Sequence, residues 1–220
     1  MKRPLLIVLT AVGTLIIAAA IVYLTRAVEI YTVATNSNEP TLKNGSWVIA
    51  SRLKNPDRGN FVAFEKDKYF WLFRCLAKGG DMVEIRNATI YVNGKLISEP
   101  YTMKDYYITT KEALTITDYL IKNNISAKEY QYNSALMTLS DDQFKDLKKD
   151  LKQFSKSKDA IPDENLYPAF KKMKYNEDNL GPIKVPANSF FVLGDNRHNA
   201  FDSRYFGFVK GTEIISTVLF

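Results

Sequence analysis

The sequence predicts a mainly β protein, with an inserted α+β subdomain and one N-terminal transmembrane helix. Three observations carry this prediction: short β-rich runs recur along the chain, an uncharged apolar run precedes them, and the composition changes in the middle. The 220 residues include 46% apolar side chains, with 30 basic and 24 acidic ones, which is ordinary for a packed protein. This balance excludes a disordered or collagen-like chain.

The N-terminal apolar run has the length of a membrane-spanning helix. Residues 5–24 carry no charged side chain, and about 20 helical residues cross a hydrocarbon core about 30 Å thick. Lys2 and Arg3 precede the run and only Arg26 follows closely, which favours a cytoplasmic N-terminus. A cleaved signal peptide has a shorter apolar core and a small-residue cleavage site. We therefore predict residues 1–26 as a retained anchor.

Short β-rich runs predict the strands of the main domain. They lie at residues 47–52, 60–65, 68–77, 82–86, 89–92, 95–97 and 189–193. Asn93-Gly94 joins two of them as a type I′ hairpin turn, in which both central residues must tolerate positive φ. We predict that residues 27–100 and 181–220 form this β-rich domain.

The segment between these two parts has a different composition, rich in Lys, Asp, Tyr and Asn. A helix is predicted from Ser140, because Ser140 and Gln143 have the spacing of a capping box. Apolar residues then recur on one face, at Phe144, Leu147, Leu151 and Phe154. We predict residues 101–180 as an inserted α+β subdomain.

The composition also limits the chemistry. The chain has one cysteine, Cys75, and one histidine, His198, which excludes a disulfide framework and any multi-thiolate zinc site. Carboxylate-bound metals stay open but have no signal in the sequence, and we predict no metal site and no cofactor. The net charge of +6 gives a weakly basic surface, but no nucleic-acid motif accompanies it, so we predict no nucleic-acid partner.

Four blocks of sequence resemble the type I signal peptidases, which are membrane-anchored serine endopeptidases that remove signal peptides from exported proteins. The blocks are residues 37–42, 58–64, 74–86 and the Gly-Asp-Asn-Arg segment at 194–207. They occur in the family's order behind an N-terminal anchor. The resemblance implies a signal-peptidase-like domain of coiled antiparallel sheets. It also implies a single-pass protein of the plasma membrane with its main domain on the exocytoplasmic face, and preprotein signal peptides and the lipid bilayer as partners.

The resemblance assigns roles to individual residues. Ser37 matches the nucleophile, and Thr35 matches a residue whose hydroxyl helps to bind the oxyanion, together with the Ser37 backbone N–H. Asp202 and Arg204 match a charged pair that shapes the site, and Asp195 belongs to the same block. The family's base is a lysine, which becomes neutral by desolvation in an apolar pocket.

Two positions depart from that pattern. The family places its general-base lysine immediately before the arginine that matches Arg74, and this chain has Phe73 there. A phenyl ring cannot accept a proton. The serine that hydrogen-bonds the lysine in the family corresponds to Ala200. Because base and orienting partner change together, we expect loss of the standard Ser/Lys mechanism.

Three other residues could supply a base. Lys68 lies five positions before Phe73, so in a strand it would point to the opposite face. Lys78 lies at a turn, which would have to fold back over Ser37. His198 stands where the family commonly has aspartate, and imidazole is the usual partner of a nucleophilic serine. His198 is thus a candidate catalytic residue, with a surface or structural role as the alternative.

Two functions stay open at this level. The first is a membrane-anchored, signal peptidase I-like serine endopeptidase with Ser37 as nucleophile, which binds an extended substrate along a groove. The alternative is a catalytically impaired paralogue that keeps the groove and binds signal peptides or a secretion partner. Both require Ser37 to lie beside the Gly-Asp-Asn-Arg loop.

Overall fold

The computed structural model describes residues 2–25, 27–125, 127–129, 133–147 and 151–219. Its strands are, in chain order, β1 (Val28–Thr32), β2 (Trp47–Ser51), β3 (Phe61–Lys66), β4 (Tyr69–Lys78), β5 (Met82–Arg86), β6 (Thr89–Val92), β7 (Lys95–Leu96), β8 (Met103–Thr109), β9 (Ala127–Glu129), β10 (Ser134–Ser140), β11 (Lys152–Gln153), β12 (Leu180–Lys184), β13 (Ser189–Leu193), β14 (Val209–Lys210) and β15 (Ile214–Val218). The helices are α1 (Lys2–Thr25), α2 (Thr110–Thr115), α3 (Thr117–Lys122), α4 (Asp141–Leu147), α5 (Pro168–Lys172) and α6 (Ser203–Phe206), and residues 197–199 and 211–213 form 3-10 turns. The predicted mainly β fold is confirmed.

The largest sheet has seven strands in the order β1-β2-β15-β3-β4-β13-β14, and its pairs are antiparallel. Strand β4 lies in the sheet interior, where Phe73 pairs with Val62 of β3 and Arg74 pairs with Leu193 of β13. Residue 194 follows β13 directly. This register therefore places the end of β13 and the loop after it beside Phe73 and Arg74.

A second sheet has the order β12-β5-β6-β7 and is also antiparallel. The predicted hairpin is confirmed, because Val92 pairs with Lys95 across the turn and both Asn93 and Gly94 have positive φ, 53° and 74°. Apolar residues of this sheet, including Val83 and Ile85, are buried against side chains of β4 and β13. The main core lies between the two sheets.

The third sheet, in the order β11-β8-β10-β9, lies within the predicted insertion. Strand β10 alternates half-buried and buried residues, and the buried ones form a separate apolar cluster with Tyr106 and Leu120. Helix α4 begins with the predicted capping box, since the Ser140 N–H donates to Gln143 Oε1 at 2.9 Å and the Gln143 N–H donates to Ser140 Oγ at 3.3 Å. The boundaries at 101 and 180 stay a prediction.

The predicted continuation of this helix to Phe154 is wrong. Helix α4 ends at Leu147, residues 148–150 lie outside the described residues, and Lys152–Gln153 is the edge strand β11, which pairs with β8. Strand pairing with Tyr106 and Tyr107 therefore overrides the helical spacing. The Phe154 side chain is buried and packs at the edge of Tyr107.

The N-terminal segment forms α1 over almost the whole predicted anchor. Among the residues that the structure describes, no helix combines the length and apolarity needed to cross a membrane. The predicted membrane span is thus not confirmed and stays a prediction.

Candidate active site

Ser37 lies in the loop between β1 and β2. Two backbone hydrogen bonds close this loop, from the Val33 N–H to the Ser46 carbonyl and from the Gly45 N–H to the Val33 carbonyl, both at 2.8 Å. Ser37 is half-buried, and no hydrogen bond to its hydroxyl is found within the described ranges. The residue lies five positions after β1, which is an edge strand of the largest sheet.

Thr35 lies beside Ser37, as expected, and the Ser37 N–H is directed at its hydroxyl oxygen. The Ser37 N–H donates to Thr35 Oγ1 at 3.4 Å, which is a weak hydrogen bond. The Thr35 side chain is exposed. An oxyanion between these groups would have to displace this contact, so the oxyanion role of Thr35 stays a prediction.

The Gly-Asp-Asn-Arg loop contacts the Ser37 loop directly. The Asn196 N–H donates to the Ser37 carbonyl at 3.0 Å, and Asn196 Nδ2 donates to the Asn36 carbonyl at 3.2 Å. These bonds fix the backbone on both sides of the Cα atom of Ser37. The Ser37 loop and the Gly-Asp-Asn-Arg loop are therefore neighbours in the fold, as expected.

Gly194 lies next to Ser37 and to the two positions that correspond to the family's lysine and its partner serine. A Cβ atom on Gly194 would lie 2.5 Å from the Ser37 carbonyl oxygen, 2.4 Å from Ala200 Cβ and 3.3 Å from Phe73 Cε1. Only glycine fits in this space. Ser37, Phe73 and Ala200 thus surround one glycine, although they are far apart in sequence.

Phe73 is packed as a core residue. Its side chain is 3% exposed and belongs to an apolar cluster with Val62, Phe64 and Ala200. The Trp71 ring stacks on Phe73 with centroids 5.9 Å apart, and a cavity of about 220 Å³ lies beyond Trp71. Burial of this kind would strip water from an amine at position 73 and favour its neutral form.

The two alternative lysines do not lie at Ser37. Lys68 is in the β3–β4 turn with φ 68°, not in a strand as predicted, because the chain reverses at Asp67 and Lys68. Lys78 Nζ donates to Asp57 Oδ1 at 2.8 Å on an exposed surface. Neither lysine is linked to Ser37 by a hydrogen bond among the described residues.

Asp195 holds the loop to both the sheet and the Ser37 loop. Its carboxylate accepts hydrogen bonds from Arg74 Nε at 2.8 Å and from Arg74 Nη2 at 2.6 Å. It also accepts a hydrogen bond from Thr41 Oγ1 at 2.6 Å. The Arg74 guanidinium also lies between the rings of Phe61 and Tyr101. The bidentate pair is buried, which suits a positioning role rather than proton transfer.

Asp202 and Arg204 form a second buried pair on the other side of the loop. Arg204 Nε and Nη2 donate to the Asp202 carboxylate, each at 2.9 Å. Asp202 Oδ2 also accepts the Gly194 N–H at 3.2 Å, and Arg204 Nη2 donates to the Arg197 carbonyl. The pair therefore closes the loop from Gly194 to Arg197.

His198 is placed between two carboxylates. Nδ1 lies 3.0 Å from Asp105 Oδ2 and Nε2 lies 3.3 Å from Asp178 Oδ1. Burial lowers the pKa of His198, but the hydrogen bonds and charges of Asp105 and Asp178 outweigh it and raise the pKa to about 9. Both ring nitrogens then carry protons at neutral pH and donate to these carboxylates. The role of His198 as the base of Ser37 stays a prediction, and its two ring nitrogens both face carboxylates.

No sequence pattern identified the carboxylates that hold this loop. Asp105 and Asp178 lie in the predicted insertion, and Glu99 just before it forms a buried, bidentate pair with Arg197. None of the three belongs to a motif, so no sequence signal identified them. In the part of the chain that the structure describes, no cluster of three or more His, Cys, Asp or Glu is arranged to hold a metal ion.

Comparison with known proteins agrees with the four sequence blocks. Residues 6–220 match the family model described as "Signal peptidase, peptidase S26". The chain is 28% identical over 215 residues to signal peptidase I of Bacillus amyloliquefaciens, covering 94% of this chain and 80% of that protein. It is 28% identical over 218 residues to signal peptidase I of Aquifex aeolicus, covering 91% and 77%.

A structural comparison gives a weaker match. A crystal structure of a signal peptidase I from Enterococcus faecalis has 26% sequence identity and a TM-score of 0.37, covering 76% of this chain and 98% of that one. The family model extends over nearly the whole sequence. This chain therefore belongs to the signal peptidase family of serine peptidases, peptidase S26.

Proposed function

We propose that this protein binds the signal peptides of preproteins beside Ser37 and has lost cleavage by a Ser/Lys dyad. One observation carries the proposal: Phe73 and Ala200 meet the Ser37 carbonyl around Gly194. These are the positions at which the resemblance to the family places the lysine and its partner serine. This contact supports a site whose frame is kept and whose proton acceptor is replaced by a phenyl ring.

Loss of the proton acceptor lowers the rate of cleavage. A serine hydroxyl attacks a carbonyl only when a base removes its proton. General-base catalysis contributes about 10²- to 10⁴-fold to such rates. We expect turnover to fall by about this factor, while the contacts that hold a peptide are kept.

The edge of the largest sheet supports an extended binding mode. Strand β1 is the outermost strand, and the chain continues from it into the Ser37 loop. A peptide that adds to such an edge gains main-chain hydrogen bonds and is guided along the strand direction. A signal peptide paired with β1 would be directed towards Ser37.

A second candidate function is an active signal peptidase that uses Ser37 with a different proton acceptor. The half-buried position of Ser37 favours it, because its hydroxyl makes no hydrogen bond within the described ranges and is available for attack. We propose an acceptor other than His198, because both of its nitrogens face carboxylates. The two candidates share the substrate class and differ only in chemistry.

The experiment combines binding and cleavage with one labelled preprotein that carries an Ala-x-Ala site. Wild type and Ser37→Ala are compared in detergent, with Ser98→Ala as a matched serine control outside the Ser37 loop. We expect all three proteins to bind the preprotein with equal affinity and to release mature product at least about 10²-fold more slowly than Phe73→Lys with Ala200→Ser. Cleavage by wild type that Ser37→Ala abolishes and Ser98→Ala leaves intact would establish the second candidate. Absence of binding by wild type would contradict the first.

We further propose that α1 attaches the protein to the plasma membrane, with its N-terminus in the cytoplasm and the β-rich domain outside. Large apolar side chains of α1 are exposed, including Ile7, Leu15 and Ile16, and Lys2 and Arg3 precede them. We expect the protein to stay in membranes after carbonate washing and its β-rich domain to be digested by protease added to intact spheroplasts. Release by carbonate, or protection from protease, would contradict this proposal.

A further inference from the structure

A short segment connects the third sheet to the loop that contacts Ser37. Residues 99–105 form a turn and then run into β8. Every second residue of this segment contacts residues 195–198 or the arginine that pairs with Asp195; these residues are Glu99, Tyr101, Met103 and Asp105. The 99–105 segment therefore adjoins the Gly-Asp-Asn-Arg loop along its whole length.

Glu99 and Asp105 supply the charged contacts of this segment. Arg197 donates two hydrogen bonds to the Glu99 carboxylate, one of them from Nη1 at 2.8 Å, and both side chains are buried. Asp105 Oδ2 lies 3.0 Å from His198 Nδ1, and its other oxygen accepts a hydrogen bond from Thr138 Oγ1 at 2.6 Å. Contacts between charged groups with this geometry fix orientation and also contribute energy. The 99–105 segment thus holds two successive side chains of the loop.

The main chain of β8 also bonds to this loop. The Met103 N–H donates to the Asp195 carbonyl at 2.9 Å, and Met103 forms a parallel bridge with Asn196. Met103 also pairs with Ser140 of β10. The third sheet is therefore joined to the loop by its backbone as well as by its side chains.

One peptide group of the loop bridges β8 and Ser37. It lies between Asp195 and Asn196, and its carbonyl accepts the Met103 N–H at 2.9 Å while its N–H donates to the Ser37 carbonyl at 3.0 Å. A trans peptide group is planar and resists rotation, so its carbonyl and its N–H move together. A displacement of β8 at Met103 would therefore displace the Ser37 backbone.

Side chains of the same two residues also bond to the Ser37 loop. The Asp195 carboxylate accepts a hydrogen bond from Thr41 Oγ1 at 2.6 Å, and Asn196 Nδ2 donates to the Asn36 carbonyl at 3.2 Å. Residues 195 and 196 are thus bonded both to the 99–105 segment and to the Ser37 loop. Loss of the first set of contacts would leave only the second set to hold them.

We propose that the 99–105 segment positions Ser37 through the peptide group between Asp195 and Asn196, with Glu99 and Asp105 as positioning residues. The inference rests on the proposed function, because the position of Ser37 matters to a preprotein only if the preprotein binds there. It makes the inserted sheet part of the functional site. The alternative is that Glu99 and Asp105 only stabilise the fold.

The test introduces a thiol at the nucleophile position, as Ser37→Cys, and measures its rate of alkylation by a neutral maleimide with the full chain in detergent. The natural cysteine, Cys75, is buried, and burial raises its pKa to about 12, so wild type supplies only a low background rate. Glu99→Gln and Asp105→Asn are each added to Ser37→Cys. The same two changes are also made with Ser37 intact, and binding of the labelled preprotein is measured.

Two controls separate positioning from stability. Asp141→Asn removes an acid of the same subdomain that pairs with Lys104 at 3.4 Å, and Asp141 forms no ion pair with residues 194–199 in the described part of the chain. Leu139→Ala opens a cavity in the apolar cluster of the third sheet, which destabilises that sheet without removing a side chain of the 99–105 segment. If Glu99→Gln does not fold, Asp105→Asn decides the test, because His198 keeps Asp178 as a partner.

We expect Glu99→Gln and Asp105→Asn to raise the alkylation rate on the order of fivefold and to weaken preprotein binding by a similar factor, whereas neither control changes the rate or the binding. Unchanged rates in both variants, an equal rise in Leu139→Ala, or preprotein binding that both variants keep at full strength would overturn the inference and leave the proposed function standing. Raised rates in the two variants, without preprotein binding by wild type, would support the positioning of Ser37 and contradict the proposed function.

Discussion

The two sides of the Ser37 loop differ in the charge of their side chains. On one side Phe73 and Ala200 are packed in an apolar cluster. On the other side the charged His198 ring lies between two carboxylates, and these contacts hold the Gly-Asp-Asn-Arg loop. The charged groups hold a loop that contacts the Ser37 backbone, whereas we propose that the Phe73 ring occupies the place of a neutral amine.

The polar side is the more costly one to disturb. A buried charge is stable only while its partner remains, so removing one member of a buried pair costs more than the pair itself contributes. The apolar side has no such constraint, because a ring can be exchanged for another side chain of similar size at lower cost. Mutations on the two sides should therefore differ in kind.

The largest effect is expected at Asp195. Asp195→Asn leaves the buried Arg74 guanidinium without its carboxylate, and we expect the free energy of unfolding to fall by about 3–5 kcal/mol. Denaturant unfolding of the full chain in detergent measures this. Asp57→Asn is the control, because it removes an exposed partner of Lys78 and should cost less than about 1 kcal/mol. Equal losses in both variants would refute the assigned positioning role.

His198→Gln should have the next largest effect and a distinctive pH dependence. The pKa of His198 is raised from 6.5 to about 9, so its charged form stabilises the fold by up to about 3 kcal/mol. Because the folded-state pKa is the higher one, this contribution is complete below pH 6.5 and is lost as the pH rises through about 9. Wild type should therefore lose its advantage over His198→Gln between these values.

Unfolding curves of wild type and His198→Gln at pH 6, 7.5 and 9.5 test this prediction. His198 also packs against Phe154, so a loss that does not depend on pH would show that packing, and not charge, explains the effect. If only burial of the ring matters, the difference in unfolding free energy between the two proteins is the same at each pH. A difference that shrinks towards pH 9.5 would show that the charge of His198 stabilises its side of the loop.

Gly194→Ala should have a smaller effect on stability and a specific effect on binding. Its Cβ would lie too close to Ala200 Cβ and the Ser37 carbonyl, and relief of such overpacking costs about 1–3 kcal/mol. Adding Ala200→Gly removes one of the two contacts, so the double variant should recover part of the stability but not the binding of a signal peptide. Full recovery of binding in the double variant would argue against contact with the Ser37 carbonyl.

Local signals predicted several elements correctly. The Asn93-Gly94 turn and the capping box at Ser140 depend on short-range backbone geometry, which the residue types themselves determine. The proximity of Ser37 to the loop after β13 was also expected, but from the resemblance to a family and not from periodicity.

Long-range partners could not be predicted in the same way. His198 was a candidate base because of its residue type, yet its role depends on Asp105 and Asp178, which the insertion brings from distant positions. The helix predicted through Phe154 failed because β11 pairs with β8, and a pairing of that kind leaves no trace in local spacing. Lys68 was assigned to a strand because an apolar run follows it, whereas the chain turns there.

The central claim is that positions 73 and 200 adjoin Ser37 and lack only the proton acceptor. Cleavage of an Ala-x-Ala preprotein by Phe73→Lys with Ala200→Ser tests it most directly, with Phe73→Leu with Ala200→Ser as the control that restores no amine. We predict that the lysine variant cleaves about 10²- to 10⁴-fold faster than wild type and the control, that its rate rises with pH as the buried amine becomes neutral, and that adding Ser37→Ala abolishes it. Cleavage by wild type at the rate of the lysine variant, or an equal gain in the leucine control, would contradict the account.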